Sequence, residues 1–167
     1  MSNTQENLEA AFAGESQANR RYLFFAEKAE QEGFSQIARL FRAAAEAETV
    51  HARNHLEVVS GIGSTRDNLE EAAGGEEYEF TEMYPGFIDQ AESENNKRAE
   101  NSFTHANAVE KIHHGLYQEA LKALEAGQRF EAGSYFVCQV CGNTVLGEAP
   151  ERCPICGAPR SKFTRVE

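Results

Sequence analysis

Apolar residues recur with a helical period along most of this chain. In four long stretches they lie three or four positions apart, which is the pattern of helices that bury one face. The stretches cover Asn3 or Thr4 to about Gly33, Ser35 to about Ser60, residues from about Tyr78 onward, and Asn95 to about Ala126. The sequence therefore predicts a mainly α-helical protein.

The segment of residues 61–78 interrupts this pattern. It contains four glycines, and it predicts a long connection with at most a short helical piece around Asp67–Ala73. A long crossover between the second and third helices is a feature of ferritin-like four-helix bundles. Pro85 lies inside the third stretch, where its missing N–H group should bend the helix.

The end of the chain has a different pattern. Tyr135, Phe136 and Val137 predict a short β-strand, which leads into two Cys-x-x-Cys-Gly segments separated by a loop. We therefore predict two domains, a helical bundle at residues 1–130 and a small cysteine-rich domain with short β-strands at residues 131–167.

Charge and composition narrow the possible functions. The net charge of −11 argues against nucleic acid and against an anionic membrane surface as partners. No stretch approaches the roughly 20 apolar residues of a membrane-spanning helix. The first residues show neither the basic segment nor the apolar run of a signal peptide. We therefore expect a cytoplasmic protein, in which cysteine pairs bind metal rather than form disulfides.

An internal repeat underlies the helical part. A shift of 62 positions superimposes the second half of the helical region on the first half. It pairs Tyr22 with Tyr84, Phe25 with Phe87, Phe41 with Phe103, Glu48 with Glu110, and His51 with His113. The repeat predicts two related helical hairpins, which together make a four-helix bundle.

Each hairpin carries a Glu-x-x-His motif. Glu48 and His51 are three residues apart, as are Glu110 and His113, so each pair lies on one face of its helix. Di-metal carboxylate bundles use two such motifs, together with one Glu from each of the other two helices. Glu15 lies among small and apolar residues of the first helix and is the candidate from that helix.

The third helix offers three candidate carboxylates. The repeat pairs Glu15 with Glu77, whereas helix geometry favours Glu79, because Glu79 and Glu82 are three residues apart and can both face inward. Glu77 lies about 200° around the helix from Glu79, so both cannot be ligands. We predict Glu79 and Glu82 and interpret Glu77 as an acidic residue at a helix start. On the second helix, His55 is a weaker candidate.

The cysteines form the most specific motif in the chain. Each Cys-x-x-Cys-Gly segment can fold into a knuckle whose backbone N–H groups point at the thiolates. Four thiolates at this spacing predict a tetrahedral S₄ site, which suits either structural zinc or a single redox-active iron. The four predicted ligands are Cys138, Cys141, Cys153 and Cys156.

These motifs together resemble the rubrerythrin family over essentially the whole chain, including the segments at residues 13–16 and 81–85. The resemblance implies a ferritin-like bundle with a non-haem di-iron site and a rubredoxin-like Fe(Cys)₄ domain. The implied di-iron ligands are Glu15, Glu48, His51, Glu79, Glu82, Glu110 and His113. His51 and Glu82 are implied to alternate on one iron as its oxidation state changes.

The resemblance also implies an activity. Members of this family reduce hydrogen peroxide to water, as part of oxidative-stress defence, and the Fe(Cys)₄ centre returns electrons singly to the di-iron site. Rubredoxin or an NAD(P)H-linked reductase is the implied electron donor. Tyr22 and Tyr84 are either hydrogen-bond donors that orient the carboxylates or buried core residues.

The position of the tail bears on the oligomeric state, because the tail leaves the end of the fourth helix. The tail need not approach the di-iron site of its own bundle, and the family solves this with head-to-tail dimers, sometimes with exchanged helices. The long connection at residues 61–78 is compatible with such an exchange. We expect a homodimer or a higher oligomer.

Three other functions share parts of this pattern. An iron-storage or iron-sensing protein would use the same bundle ligands with a zinc-filled tail, and an oxidase or ferroxidase would use oxygen in place of peroxide. A helical scaffold with a zinc ribbon would bind no metal in the bundle and would react with neither oxygen nor peroxide. The matched Glu48/His51 and Glu110/His113 pairs argue against the scaffold, but the residues do not decide whether manganese occupies one bundle site.

Overall fold

A computed structural model describes residues 3–130 and 133–166 of the chain. As predicted, the protein is mainly α-helical with a small C-terminal β-sheet. The helices are α1 (Asn3–Gln31), α2 (Ser35–Val58), α3 (Thr65–Tyr78), a π-helix (Glu79–Met83), α4 (Tyr84–Ser93) and α5 (Lys97–Glu125). The strands are β1 (Tyr135–Cys138), β2 (Thr144–Leu146) and β3 (Phe163–Val166). The chain divides into two compact units, one up to Gly63 and one from Ser64 onward.

The first unit is a hairpin of α1 and α2. Its buried core consists of Ala26, Ala29 and Ala38, against which Phe41 packs. Small side chains allow the two helices to approach closely along this line. Gly33 joins them with a positive φ of 84°, which glycine adopts without a steric penalty. The predicted limits of both helices agree with the structure to within about two residues.

The second unit corrects the prediction for residues 61–78. Instead of a linker with a short helical piece, residues Thr65–Tyr78 form one continuous helix, α3. Ser64 caps it: the Ser64 hydroxyl accepts from the Asp67 backbone N–H, and the Asp67 carboxylate accepts from the Ser64 backbone N–H. Two consecutive glycines inside α3 misled the prediction. Their helical cost is offset where α3 packs against α5, which buries Ala73.

The elements α3, the π-helix and α4 follow one another directly and form the third rod of the helical part, which is not a regular α-helix. Between α3 and α4 the chain widens into one π-helical segment, in which the Tyr84 N–H group donates to the Glu79 carbonyl five residues earlier. Pro85 follows at the start of α4, where its missing N–H group is tolerated. A π segment inserts one extra residue into a helix and is frequent at functional sites. The irregularity predicted at Pro85 coincides with this local change of helix type.

The small sheet holds the cysteine-rich end of the chain. Strand β1 lies in the centre and pairs antiparallel with both β2 and β3. The predicted strand at residues 135–137 is confirmed as β1, and Cys138 is its last residue, opposite Phe163 of β3. Among the described residues, no helix is both long and apolar enough to cross a membrane.

Candidate metal centres

The first unit brings three candidate ligands together. Glu15 of α1, Glu48 and His51 of α2 each place one ligand atom within 4.8 Å of the others. His51 Nδ1 lies 2.9 Å from Glu48 Oε2 and 3.9 Å from Glu15 Oε1. We call these three residues the first half-site. One turn further along α1, the Asn19 amide donates to the Ala45 carbonyl at 2.7 Å, which fixes α1 against α2 beside the ligands.

The charges of the first half-site favour a cation. A hydrogen bond that the Glu15 carboxyl donates to Glu48 raises the pKa of Glu15, and burial and the Glu48 charge act in the same direction. The same hydrogen bond, together with one from His51, lowers the pKa of Glu48. Two carboxylates this close share a proton unless a positive ion separates their charges. The donor set of two carboxylates and one imidazole therefore fits a divalent transition metal.

The second unit contains a matching cluster. Glu76 of α3, Glu110 and His113 of α5 place their ligand atoms within 4.8 Å of one another. His113 Nδ1 lies 2.8 Å from Glu110 Oε2 and 3.6 Å from Glu76 Oε1. Burial raises the pKa of Glu76, as does the charge of Glu110. We call these three residues the second half-site.

Sequence reasoning missed Glu76. The strict 62-residue repeat pairs Glu15 with Glu77, which is exposed. The helix-geometry prediction considered only Glu79 and Glu82, so neither prediction includes Glu76. The π segment explains the discrepancy: it adds one residue to the third rod, so Glu76 to Tyr84 is one residue longer than Glu15 to Tyr22. Allowing for one inserted residue before Tyr84 would have identified Glu76 as the counterpart of Glu15.

The structure separates Glu79 from Glu82. Glu79 lies beside the second half-site, since burial raises its pKa, the charge of Glu76 raises it further and His113 lowers it. Glu82 is exposed and lies outside both half-sites. The prediction that Glu79 and Glu82 both face inward assumed α-helical geometry, whereas these residues lie in the π-helix, whose wider turn changes the angle between them.

The tyrosines lie in matching aromatic clusters. Tyr22 packs against Phe25 and Phe41, with both ring centroids 6.3 Å away. Its repeat partner Tyr84 packs against Phe87 and Phe103 at 6.2 and 6.3 Å. Burial raises the pKa of Tyr84, and the charges of Glu110, Glu79 and Glu76 raise it further, so this phenol lies within electrostatic range of the second half-site.

Two further side chains near the second half-site were not predicted to matter. Burial and the charges of Glu76 and Glu110 raise the pKa of Tyr117, which therefore lies close to both carboxylates. His114 is the second of these side chains. It is partly buried, its Nδ1 lies 2.9 Å from the Ala73 carbonyl and its ring meets Phe80 edge-on, so it joins α5 to α3.

The remaining histidine candidate stays outside the clusters. His55 lies near enough for its charge to lower the pKa of Glu15. It does not join Glu15, Glu48 and His51 in the first half-site. Helix geometry explains this position, since four residues beyond His51 the chain has advanced one full turn along α2.

The four cysteines come together as predicted. Cys138, Cys141, Cys153 and Cys156 form one cluster, with Sγ–Sγ distances of 3.7 Å for Cys138–Cys156 and 3.5 Å for Cys141–Cys153. Gly142 and Gly157 close the two knuckles with positive φ values of 83° and 75°. Both glycine N–H groups donate backward, to the carbonyls of the first cysteine of each knuckle.

The surroundings of the sulfurs suit a bound cation. Burial raises the pKa of the Cys141 thiol above its ordinary value. Although burial also acts on Cys153, the backbone N–H groups of Cys156 and Ile155 and the neighbouring thiols lower its pKa to about 7. The buried Asn143 amide donates to Cys153 Sγ at 3.6 Å, an interaction not predicted from sequence. Four thiolates in this space require a cation such as iron or zinc.

The cysteine-rich sheet also contacts the second half-site. Thr144 of β2 places its hydroxyl oxygen 2.9 Å from His113 Nε2. The cysteine-rich sheet therefore reaches a predicted metal ligand of its own chain. Sequence reasoning missed this contact because 31 residues separate the two partners.

Comparison with known proteins places these sites in a family. The rubrerythrin family model matches residues 6–121, and the model of the rubrerythrin rubredoxin-like domain matches residues 136–164. Rubrerythrin-2 of Clostridium acetobutylicum is 40% identical over 96% of this chain and 95% of its own length. Rubrerythrin of Porphyromonas gingivalis is 38% identical over 97% of this chain and 89% of its own length.

A solved structure agrees with these matches. Nigerythrin in a partially reduced state is 36% identical and has a TM-score of 0.59, with coverage of 99% of this chain and 88% of nigerythrin. Nigerythrin has also been solved in a fully reduced, all-ferrous state, with a TM-score of 0.58 to this chain. Since the family models cover the helices and the cysteine-rich sheet, and since these relatives align over nearly the whole length, the chain belongs to the rubrerythrin family.

Proposed function

We propose that this protein is a non-haem di-iron peroxidase, which reduces hydrogen peroxide to water and receives its electrons through the four-cysteine centre. The observation that carries the proposal is the combination of two carboxylate–histidine half-sites with a four-cysteine cluster whose sheet touches one of them. Membership of the rubrerythrin family and the iron-containing nigerythrin structures support it.

Both half-sites are needed for a pair of irons. Each half-site contributes three ligand residues, whereas a di-metal carboxylate site uses two Glu-x-x-His motifs and a Glu from each of two other helices. Glu48 and Glu110, the repeat partners, would each provide a carboxylate for the ions. Glu79 takes the place of Glu82 as the additional carboxylate, because Glu79 lies beside Glu76 and His113. The proposed di-iron ligands are Glu15, Glu48, His51, Glu76, Glu79, Glu110 and His113.

The protein side chains supply charge and protons. Reduction of one peroxide follows H₂O₂ + 2 e⁻ + 2 H⁺ → 2 H₂O, and two bound ferrous ions supply the two electrons. The carboxylates of the half-sites offset the added positive charge afterwards. Tyr84 stays protonated at neutral pH, because its pKa is raised above the ordinary value near 10, and its hydroxyl can donate a hydrogen bond toward the carboxylates. Tyr22 is proposed for the same role in the first hairpin.

One comparison separates this proposal from an oxidase or a ferroxidase. Iron-loaded protein is reduced, mixed rapidly with either hydrogen peroxide or oxygenated buffer at equal concentration, and followed by its absorbance. We expect peroxide to oxidise the bundle irons much faster than oxygen does. Faster oxidation by oxygen would support the oxidase or ferroxidase instead. Retention of the oxidised iron as a growing mineral core would support iron storage.

The electrons would arrive singly through the cysteine cluster from rubredoxin or an NAD(P)H-linked reductase. This requires iron in the cluster, since zinc carries no electrons. Four cysteine sulfurs within 4.8 Å of one another fit either metal, so the identity of the bound ion is part of the proposal.

We also propose that the protein works as a homodimer with exchanged hairpins. Large apolar side chains on the first unit are exposed, including Phe24 (63%), Leu40 (68%) and Val50 (51%), which is unusual for a helical hairpin without a partner. A second copy of this chain would cover them and bring a second half-site to each first half-site. The division of the chain at Gly63, after a glycine-containing connection, is compatible with this exchange.

Complementation tests the exchange directly. Glu48→Gln inactivates the first half-site and Glu110→Gln the second, so each variant alone should be inactive. In exchanged heterodimers, one of the two sites combines two intact halves. Co-expression at equal levels should therefore restore roughly a quarter of the wild-type sites. Absence of any restoration, although sedimentation and differential tags show that heterodimers form, would exclude the exchange.

A further inference from the structure

We propose that Thr144 is a positioning residue, which holds His113 in one tautomer and joins the second half-site to the cysteine knuckle. The proposal rests on the proposed function only in assuming that the second half-site binds metal. The Thr144 hydroxyl oxygen lies 2.9 Å from His113 Nε2 and 3.1 Å from the Gly142 carbonyl oxygen. A single side chain thus connects a metal-ligand candidate to the turn that carries Cys141.

The hydrogen count of the hydroxyl selects the histidine tautomer. Thr144 has one hydroxyl hydrogen, and the Gly142 carbonyl can only accept, so Thr144 donates to Gly142. Its oxygen then accepts from His113, which places the imidazole hydrogen on Nε2. When a metal ion is bound to the neutral ring, the lone pair is then on Nδ1, the nitrogen that lies 2.8 Å from Glu110 Oε2 and 3.6 Å from Glu76 Oε1. The ring therefore presents its free nitrogen to the carboxylates.

Both ends of this connection are held by the fold. Thr144 is the first residue of β2 and pairs with Val137 in the centre of the sheet. The Gly142 N–H group donates to the Cys138 carbonyl at 2.8 Å. On the other side, Gly142 lies against Val109 of α5, which is 2% exposed; a Cβ on Gly142 would be 3.8 Å from the Val109 side chain. The knuckle therefore packs on α5 one turn before His113.

This placement gives Thr144 a function that a strand residue would not otherwise have. A metal-binding histidine generally donates its second N–H group to a partner that fixes the ring, and loss of that partner costs roughly 10–100-fold in metal affinity. Here the partner belongs to the cysteine-rich sheet, so the position of the knuckle and the orientation of a half-site ligand are coupled. Thr144 would also provide a hydrogen-bonded path from the Gly142 carbonyl to the imidazole.

Three variants test the role of the hydroxyl. Thr144→Val keeps the shape of the side chain and removes the hydroxyl, and Thr144→Ser restores it. Thr164→Val makes the same change at an exposed position of β3, on the opposite edge of the sheet, and serves as the matched control. All are studied as the full-length protein with zinc first bound to the cysteine cluster, so that the cluster does not compete for added metal.

The first measurement is the affinity of the carboxylate site for Co²⁺, followed by its absorbance. We expect Thr144→Val to weaken binding by about 10-fold, with Thr144→Ser close to wild type and Thr164→Val unchanged. The second measurement is ¹⁵N NMR of histidine side chains in the zinc-loaded protein. In wild type, His113 should carry its hydrogen on Nε2, with slow exchange, and Thr144→Val should make that hydrogen exchange rapidly.

Both measurements are independent of peroxide chemistry. Wild-type affinity in Thr144→Val, or an Nε2 that carries no hydrogen in the loaded wild-type protein, would overturn the role of Thr144. Failure of the reduced wild-type protein to react with peroxide would instead overturn the proposed function, and it would leave the tautomer measurement intact. Equal losses in Thr144→Val and Thr164→Val would show a general weakening of the sheet and would also overturn the proposal.

Discussion

Glu76→Gln is expected to abolish the peroxidase activity. The change keeps the size of the side chain and removes one of the three ligands of the second half-site. We expect activity to fall by more than the roughly 10–100-fold that loss of an outer hydrogen-bond partner of a ligand causes. Steady-state peroxide consumption and iron content per chain measure the effect. Metal-free Glu76→Gln should remain folded, because the substitution relieves the repulsion between Glu76 and Glu110.

Two neighbouring carboxylates provide matched controls. Glu77→Gln and Glu82→Gln make the same chemical change on the same rod, at exposed positions outside the half-sites. Both variants should keep iron and activity near wild type. A large loss in Glu82→Gln, with little loss in Glu76→Gln, would restore the ligand assignment that helix geometry alone suggests and would refute the role given to the π segment.

The second large effect is expected at the cysteine cluster. Cys156→Ser replaces one sulfur ligand at a partly exposed position, so the sheet should still fold. The visible bands of the Fe(Cys)₄ centre should disappear, and peroxide turnover driven by an electron-donor protein should fall to background. The chemically reduced bundle should still oxidise once with peroxide at the wild-type rate, because its own ligands are intact. Rapid-mixing absorbance separates the two steps.

Val140→Ser is the control for this variant. Val140 lies between Cys138 and Cys141 in the same knuckle, its side chain is 55% exposed and it is not a ligand. It should keep the Fe(Cys)₄ bands and the turnover rate. If Cys156→Ser retained donor-driven turnover while lacking the bands, the electrons would not pass through the cysteine cluster, and the proposed relay would be wrong.

Local motifs were predictable from the sequence because their geometry depends on few residues. A Glu and a His three residues apart on a helix must share a face, so Glu48 with His51 and Glu110 with His113 could be paired without a structure. The same holds for the cysteine knuckles, whose turns are closed by Gly142 and Gly157. The strand that ends at Cys138 was predictable for the same reason, because its pattern lies in a few consecutive residues.

The errors arose where a distant contact or a change of helix type decides the outcome. Gly74 and Gly75 suggested a linker, yet packing of α3 against α5 keeps them helical. Glu76 was hidden because the π segment shifts the repeat by one residue. The contact between Thr144 and His113 depends on where the sheet packs on α5, which no periodicity in either segment records.

The central claim is that a peroxide-reducing iron pair is supplied with electrons by the cysteine cluster. The most direct test is the visible spectrum of the protein purified from its own host, with metal analysis, before and after dithionite and then after stoichiometric peroxide. We expect about three irons per chain, with thiolate-to-iron bands that bleach on reduction and return with peroxide. A colourless protein with zinc in the cysteine cluster would contradict the claim and would support iron storage or ferroxidase activity instead.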